Sequence, residues 1–197
     1  MLILDKEAKH AIRGKILRNL LEMREASFRD LLVRIPVTTL DFHLRVLRRE
    51  QIVEATERGY RVSPEKVQYL RNKFNIKAEH ILFTGVDSEG DINVVEKAAG
   101  KAGIKPTKVL YVVNMNKAEK LRDVVEKRGG VLVTVDSDNF EKAFELLERI
   151  VEDEIYNVEP VIDLSTAPRS TTILLMKLGE KYGLRRFLMK DERIVWV

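Results

Sequence analysis

Leu40, Leu44 and Leu47 recur at helical spacing, and Arg45, Arg48 and Arg49 lie mostly off their stripe. A helix that turns its leucines inward and its guanidinium groups outward can fork onto phosphate or onto a base edge. Thr38, Thr39, Asp41 and Phe42 stand at the start of the same predicted helix, which runs over 38–50. Ser27 with Asp30 reads as a capping-box start of a shorter helix, and Thr38 with Asp41 as a second start just after Pro36. Two short helices, the second basic, form a probe shaped for the major groove. Ile52–Thr56 and Tyr60–Val62 read as strands flanking the turn Glu57-Arg58-Gly59. That hairpin would carry Arg58 and Arg61 to the groove beside the helix. Thr38, Thr39, Asp41, Phe42, Arg45, Arg48, Arg49, Arg58 and Arg61 are the candidate contacts to double-stranded DNA.

A second group follows a later apolar run. Asp163-Leu164-Ser165-Thr166-Ala167-Pro168-Arg169-Ser170-Thr171 leads straight into a predicted helix. Backbone N–H groups at a helix start favour an anion, and Arg169 is suited to phosphate. Ser165, Thr166, Arg169, Ser170 and Thr171 are therefore candidate ligand contacts, with Asp87, Ser88 and Asn114 from two other loops reading ribose or base groups. The plainer reading is that Ser170 or Thr171 caps the helix. No G-x-G-x-x-G follows the first strand, and no G-x-x-x-x-G-K-[ST] is present, so a standard dinucleotide site and a P-loop are disfavoured. His10, His43 and His80 fall in different elements, and Asp136 and Asp138 read as turn and cap residues, so neither a metal site nor a cofactor is expected.

The elements that must position these groups change character along the chain. Ala8, Ile12, Ile16, Leu17, Leu20 and Leu21 predict a first helix over 5–23. Ser63-Pro64 predicts a helix start, with Val67, Leu70 and Phe74 on its apolar face. From His80, strand-like runs (81–86, 109–113, 131–135, 161–164) alternate with helical patterns (92–102, 117–128, 140–151, 172–182). Two strands, 186–189 and 193–197, close the chain around Asp191-Glu192. Such alternation argues for crossover helices on a mostly parallel sheet, with the last pair as an edge hairpin. The expected fold is α/β: an all-α, winged helix-turn-helix part over 1–63, a linker helix over 64–79, and a Rossmann-like part over 80–197.

Composition sets the frame. The 197 residues allow two small domains, and 45% hydrophobic residues exclude a disordered chain. Charged residues make up 34% and cysteine is absent, the balance of a thermophile protein in a reducing cytoplasm. No apolar stretch approaches membrane-spanning length. Residues 1–75 hold 16 Lys/Arg against 10 Asp/Glu, a balance of +6, and residues 76–197 hold 19 against 21, a balance of −2. The basic excess thus sits where the groove probe sits.

The run TTLDFHLRVLRREQIVEATERGYRVSP resembles the winged helix-turn-helix of ArsR-like transcription regulators, particularly archaeal ones, with FHLRVL and GYRVSP as the specific parts. Gln51 stands where that family usually has Gly, and without Cys the family's thiolate metal site cannot form. Residues 80–197 resemble the CRISPR-associated Rossmann fold (CARF) family in the opening HILFTGVDSEGD, in a second strand ending at Asn114, and in the hydroxyl-rich loop with Arg169. Ala167-Pro168 replace the glycines common in that loop. The second resemblance implies a dimer that binds a cyclic oligoadenylate, a nucleotide second messenger, across its two-fold axis. The two together imply a homodimeric, cytoplasmic DNA-binding regulator rather than an enzyme. The alternatives are slow cleavage of the cyclic nucleotide with Ser165, Thr166 and Arg169 holding the phosphate, a sugar-phosphate sensor, or a ligand-free dimerising module.

Overall fold

The computed structural model describes residues 2–33, 35–136 and 138–197, with the side chains of all these except Leu2 and Thr38. The chain divides into two compact units, Met1–Lys77 and Ala78–Val197.

The leucine stripes build the first unit. Helices α1 (Leu2–Lys9), α2 (Ala11–Met23), α3 (Phe28–Leu32), α4 (Val37–Arg49) and α5 (Pro64–Phe74) surround a core that includes Ile16, Leu17, Leu20, Leu31, Leu40, Leu47 and Leu70, all fully buried. The single helix expected over 5–23 is two helices. His10 leaves helical geometry (φ −68°, ψ 123°), and its Nδ1 accepts from the Arg13 N–H, so it caps α2. Ser27 and Asp30 form the anticipated capping box on α3. The second capping box does not form. Helix α4 starts at Val37 with Pro36 at its N-cap, which leaves Thr38 inside the first turn, and the Pro36 carbonyl accepts from Thr39 and Leu40. Helix α5, expected to link the two parts, belongs to the first unit through buried Val67 and Leu70.

At the far end of α4, Gln51 takes a left-handed conformation (φ 55°). Its N–H reaches the Arg48 carbonyl and that of Ile52 reaches Leu47, the paired bonds of a Schellman ending. The turn usually built on Gly is thus kept with Gln. Strands β1 (Val53–Ala55) and β2 (Tyr60–Val62) follow as an antiparallel wing. Tyr60 exchanges both backbone hydrogen bonds with Ala26. A side chain at Gly59 (φ 154°) would run into the Ala26 carbonyl, so only Gly allows this contact.

The second unit is a six-stranded sheet in the order β5-β4-β3-β6-β7-β8. Its strands are β3 (His80–Gly85), β4 (Pro106–Asn114), β5 (Val131–Val135), β6 (Glu159–Asp163), β7 (Arg185–Lys190) and β8 (Arg193–Trp196). All pairs are parallel except β7–β8, the edge hairpin. The fold is Rossmann-like. Helices α6 (Glu89–Lys101) and α7 (Met115–Lys127) pack together, as do α8 (Phe140–Glu154) and α9 (Arg169–Tyr182). With the right-handed crossovers that govern parallel strands, this strand order puts the two pairs on opposite faces. Strand β3 is buried from Ile81 to Gly85, which explains its unbroken apolar run. Three helices start earlier than their apolar pattern: Ser88 caps α6, Asn114 caps α7, and α9 begins at Arg169. The β7–β8 turn puts Asp191 and Glu192 at positive φ (48° and 63°). Lys101 and Lys97 grip Glu192 and hold its carboxyl down at about 2.

Candidate functional site

Two places gather chemistry, one in each unit. In the first, α4 hides Leu40, His43, Leu44 and Leu47 and exposes the opposite side. Phe42, Arg45 and Arg49 succeed one another at i, i+3 and i+7 along the outermost stripe, and Arg48 flanks it. Phe42 is 59% exposed, and so is Val37 at the helix start. Arg45 pairs with Asp41 one turn back at 2.8 Å, and Arg49 with Glu50 at 3.3 Å. The Arg48 and Arg58 guanidinium groups have no partner among the described residues and are exposed. Arg61 is tied to Glu54 across the wing, and Thr39 is half-buried. The Thr38 side chain lies outside the described residues.

A buried polar cluster anchors the helix from behind. The Arg13 Nε donates to His43 Nδ1 at 3.1 Å, and its other arm pairs with buried Glu7. The His10 ring lies 4.9 Å from that of His43. Burial first, then the Arg13 and His10 charges, lowers the His43 pKa, so His43 stands neutral as an acceptor. His43 thus serves the packing of the helix through a named partner.

In the second unit the strand order reverses between β3 and β6, and ligands of open α/β sheets bind in the crevice beyond the strand ends at such a reversal. Here the loop 164–168 covers that crevice. The Thr166 hydroxyl donates to the Gly85 carbonyl at 2.8 Å. A side chain at Gly85 would meet Thr171 Cγ2 at 2.7 Å and Ala167 Cβ at 2.8 Å, so the loop lies directly on β3. Leu164 donates its N–H to Phe187, and Ser165 Oγ accepts from the Met189 N–H, both at 2.8 Å. The loop is thus stitched to β3 on one side and β7 on the other.

Asp163 sits under this loop with no exposed surface. One carboxylate oxygen accepts from the N–H and hydroxyl of Ser165. The other is buried and interacts with the Thr84 hydroxyl in register with it on β3, short of full hydrogen-bond geometry. Burial raises the Asp163 pKa against the lowering effects of Ser165 and of the Thr84 hydroxyl.

The ligand candidates therefore separate. Ser165 and Thr166 hold the loop, and Thr171 is buried against Gly85. Arg169 is exposed, its guanidinium without a partner among the described residues, and Ser170 is half-buried beside it. Neither Ser170 nor Thr171 caps α9. Pro168 occupies the N-cap with no side-chain acceptor, so the first N–H groups of the helix stay uncapped. Asp87 and Ser88 line a different cavity, of about 280 Å³, with Glu89, Lys117, Lys120 and Leu121. Lys117 pairs with Asp87, Ser88 forms a capping box with Asp91, and Asn114 accepts from the Asn116 N–H at 3.0 Å. The two lysines were not anticipated. Their one signal is three-residue spacing in the first turns of a helix that follows a strand. Among the described residues no cluster of His, Cys, Asp or Glu could hold a metal ion, and no helix is long and apolar enough to cross a membrane.

No protein-family model and no curated protein matches the chain. Among solved structures it is similar to protein VC1899 from Vibrio cholerae, at 12% identity and a TM-score of 0.48 over 59% of this chain and 33% of that one. It is also similar to Enterococcus italicus Csm6 bound to cyclic hexa-2'-fluoro-hexa-dAMP, at 11% identity and a TM-score of 0.42 over 58% and 34%. The chain spans about a third of the length of these structures. At this distance neither assigns a site or a ligand to it.

Proposed function

We propose that this chain is a DNA-binding transcription regulator of ArsR-like type that acts as a homodimer. In this reading α4 enters the major groove, the wing reaches the flanking groove, and the Rossmann-like unit senses a phosphate-bearing ligand. One observation carries it: α4 buries its leucines and presents Phe42, Arg45 and Arg49 as a continuous outward stripe, with Arg48 beside them. Arg45 is exposed on that stripe and pairs with Asp41 one turn back. Two copies about a two-fold axis would match half-sites one helical turn apart.

For the ligand, the support is the uncapped start of α9 with Arg169 exposed at its first position. A cyclic oligoadenylate, as the CARF resemblance implies, would place phosphates on both copies of this corner. Its binding would act by favouring one placement of the two reading helices.

The test joins both halves. Fluorescence anisotropy with duplex DNA should show Arg45→Glu weakened at least tenfold and Arg169→Ala unchanged. Calorimetry with cyclic tri-, tetra- and hexaadenylate should show heat with one of them for the parent and none for Arg169→Ala. A folded Arg45→Glu protein that binds DNA like the parent overturns the DNA-reading assignment. Absence of heat with all three ligands removes the oligoadenylate and leaves a different metabolite or a dimerisation role.

A further inference from the structure

We propose that Phe42 and Val37 read thymine, through contacts to 5-methyl groups in the major groove, so that the half-site under the first half of α4 carries A·T pairs. The proposal rests on the DNA-binding reading and names the sequence class that the same helix selects.

An exposed apolar side chain gains no burial energy in the free protein. Yet Phe42 and Val37 are each 59% exposed. Phe42 does not fold back into the core. It meets buried His43 edge-on at 5.2 Å and, with Arg49, borders an open groove shared with Ile3 and Lys6 of α1. Val37 is the first residue of the helix, behind Pro36, and its branched side chain has few rotamers to lose.

The surroundings say what covers them. Arg45 and Arg49 share the outward stripe with Phe42, and Arg48 lies alongside. An apolar protein partner would bury these guanidinium groups without acceptors, which is unfavourable. Duplex DNA satisfies both demands: phosphates and guanine edges for the arginines, and one apolar group in the major groove, the thymine methyl. The first turns of a reading helix are the part that approaches base edges, and both residues lie within the first six positions of α4. Arginine alone would favour guanine or be indifferent to sequence. The apolar pair supplies the preference for thymine.

The experiment separates this from the reading it rests on. A binding sequence is selected from a random duplex pool with the full chain. It is then made twice, with thymine and with deoxyuridine, which differ only by the methyl groups. The expected result is a loss of about three- to fivefold for each contacted methyl in the uracil duplex. Phe42→Ala should bind the thymine duplex more weakly and narrow the ratio between the two, and adding Val37→Ala should abolish it. Arg45→Ala should lose affinity for both by the same factor and keep the ratio. Phe42 is exposed, so its truncation leaves the core intact, and circular dichroism checks this. Equal affinity of the parent for the two duplexes overturns the thymine proposal while DNA binding stands. Failure to bind any duplex overturns the DNA reading, and this inference with it.

Discussion

Gln51 is where one side chain conflicts with the backbone it must adopt. Its left-handed turn costs a residue with a Cβ about 1 kcal/mol, whereas Gly adopts it freely. The side chain is exposed, so nothing packed is lost on replacing it. Gln51→Gly should therefore raise stability by up to about 0.5 kcal/mol, after the greater freedom of Gly in the unfolded chain is set against the relieved strain. Urea unfolding should show a higher midpoint at unchanged slope. An unchanged or lower midpoint would mean that the turn is not strained. This position was legible because α4 ends on a local rule, and only the residue type departed from it. Ser88 and Asn114 were not. A hydroxyl or amide that caps a helix has the same chemistry as one that holds a ligand, and only the fold shows which N–H it meets.

Between elements, the loop after β6 shows what periodicity cannot reach. The alternation of apolar runs and helical patterns was enough to foresee a mostly parallel sheet, because each period is local. The seam from the loop to Gly85 and Met189 joins residues 81 and 24 positions apart, and no pattern in the loop announces it. Asp163 tests how the seam is held. Asp163→Ala removes the acceptor for the Ser165 N–H and hydroxyl and should destabilise by about 1–3 kcal/mol. Asp163→Asn keeps an acceptor for Ser165 and offers an N–H to the Thr84 hydroxyl, so it should be at least as stable as the parent at pH 7. The sign with pH follows from the raised pKa. The folded state holds the Asp163 proton more tightly than the unfolded chain does. The contribution of this group to stability is therefore greatest in acid and falls as pH rises from the ordinary carboxylate range through its raised value. Parent and Asn variant should converge at pH 4 and separate toward pH 7, with the variant ahead. Denaturant titrations at the two pH values decide, and a variant that falls behind only at pH 7 would mean that the charge stabilises the fold.

At the scale of the molecule, charge divides as the fold does. The first unit, 1–77, holds 17 Lys/Arg against 10 Asp/Glu, and the second, 78–197, holds 18 against 21. DNA affinity should therefore take its salt dependence from the first unit. Each phosphate neutralised on B-DNA adds about 0.9 to the slope of log affinity against log salt. Arg58 isolates this effect, because its exposed guanidinium at the wing tip has no partner among the described residues to reorganise when it is removed. Arg58→Ala should flatten the slope by about 0.9 for every protomer engaged, hence by about 1.8 for a dimer on its operator, and weaken binding alike on selected and unrelated duplexes. Anisotropy titrations at four or more potassium chloride concentrations measure both. A change near 0.9 would mean that one wing touches DNA at a time, contrary to a symmetric dimer. No change would remove the wing from the interface and leave α4 as the whole of it.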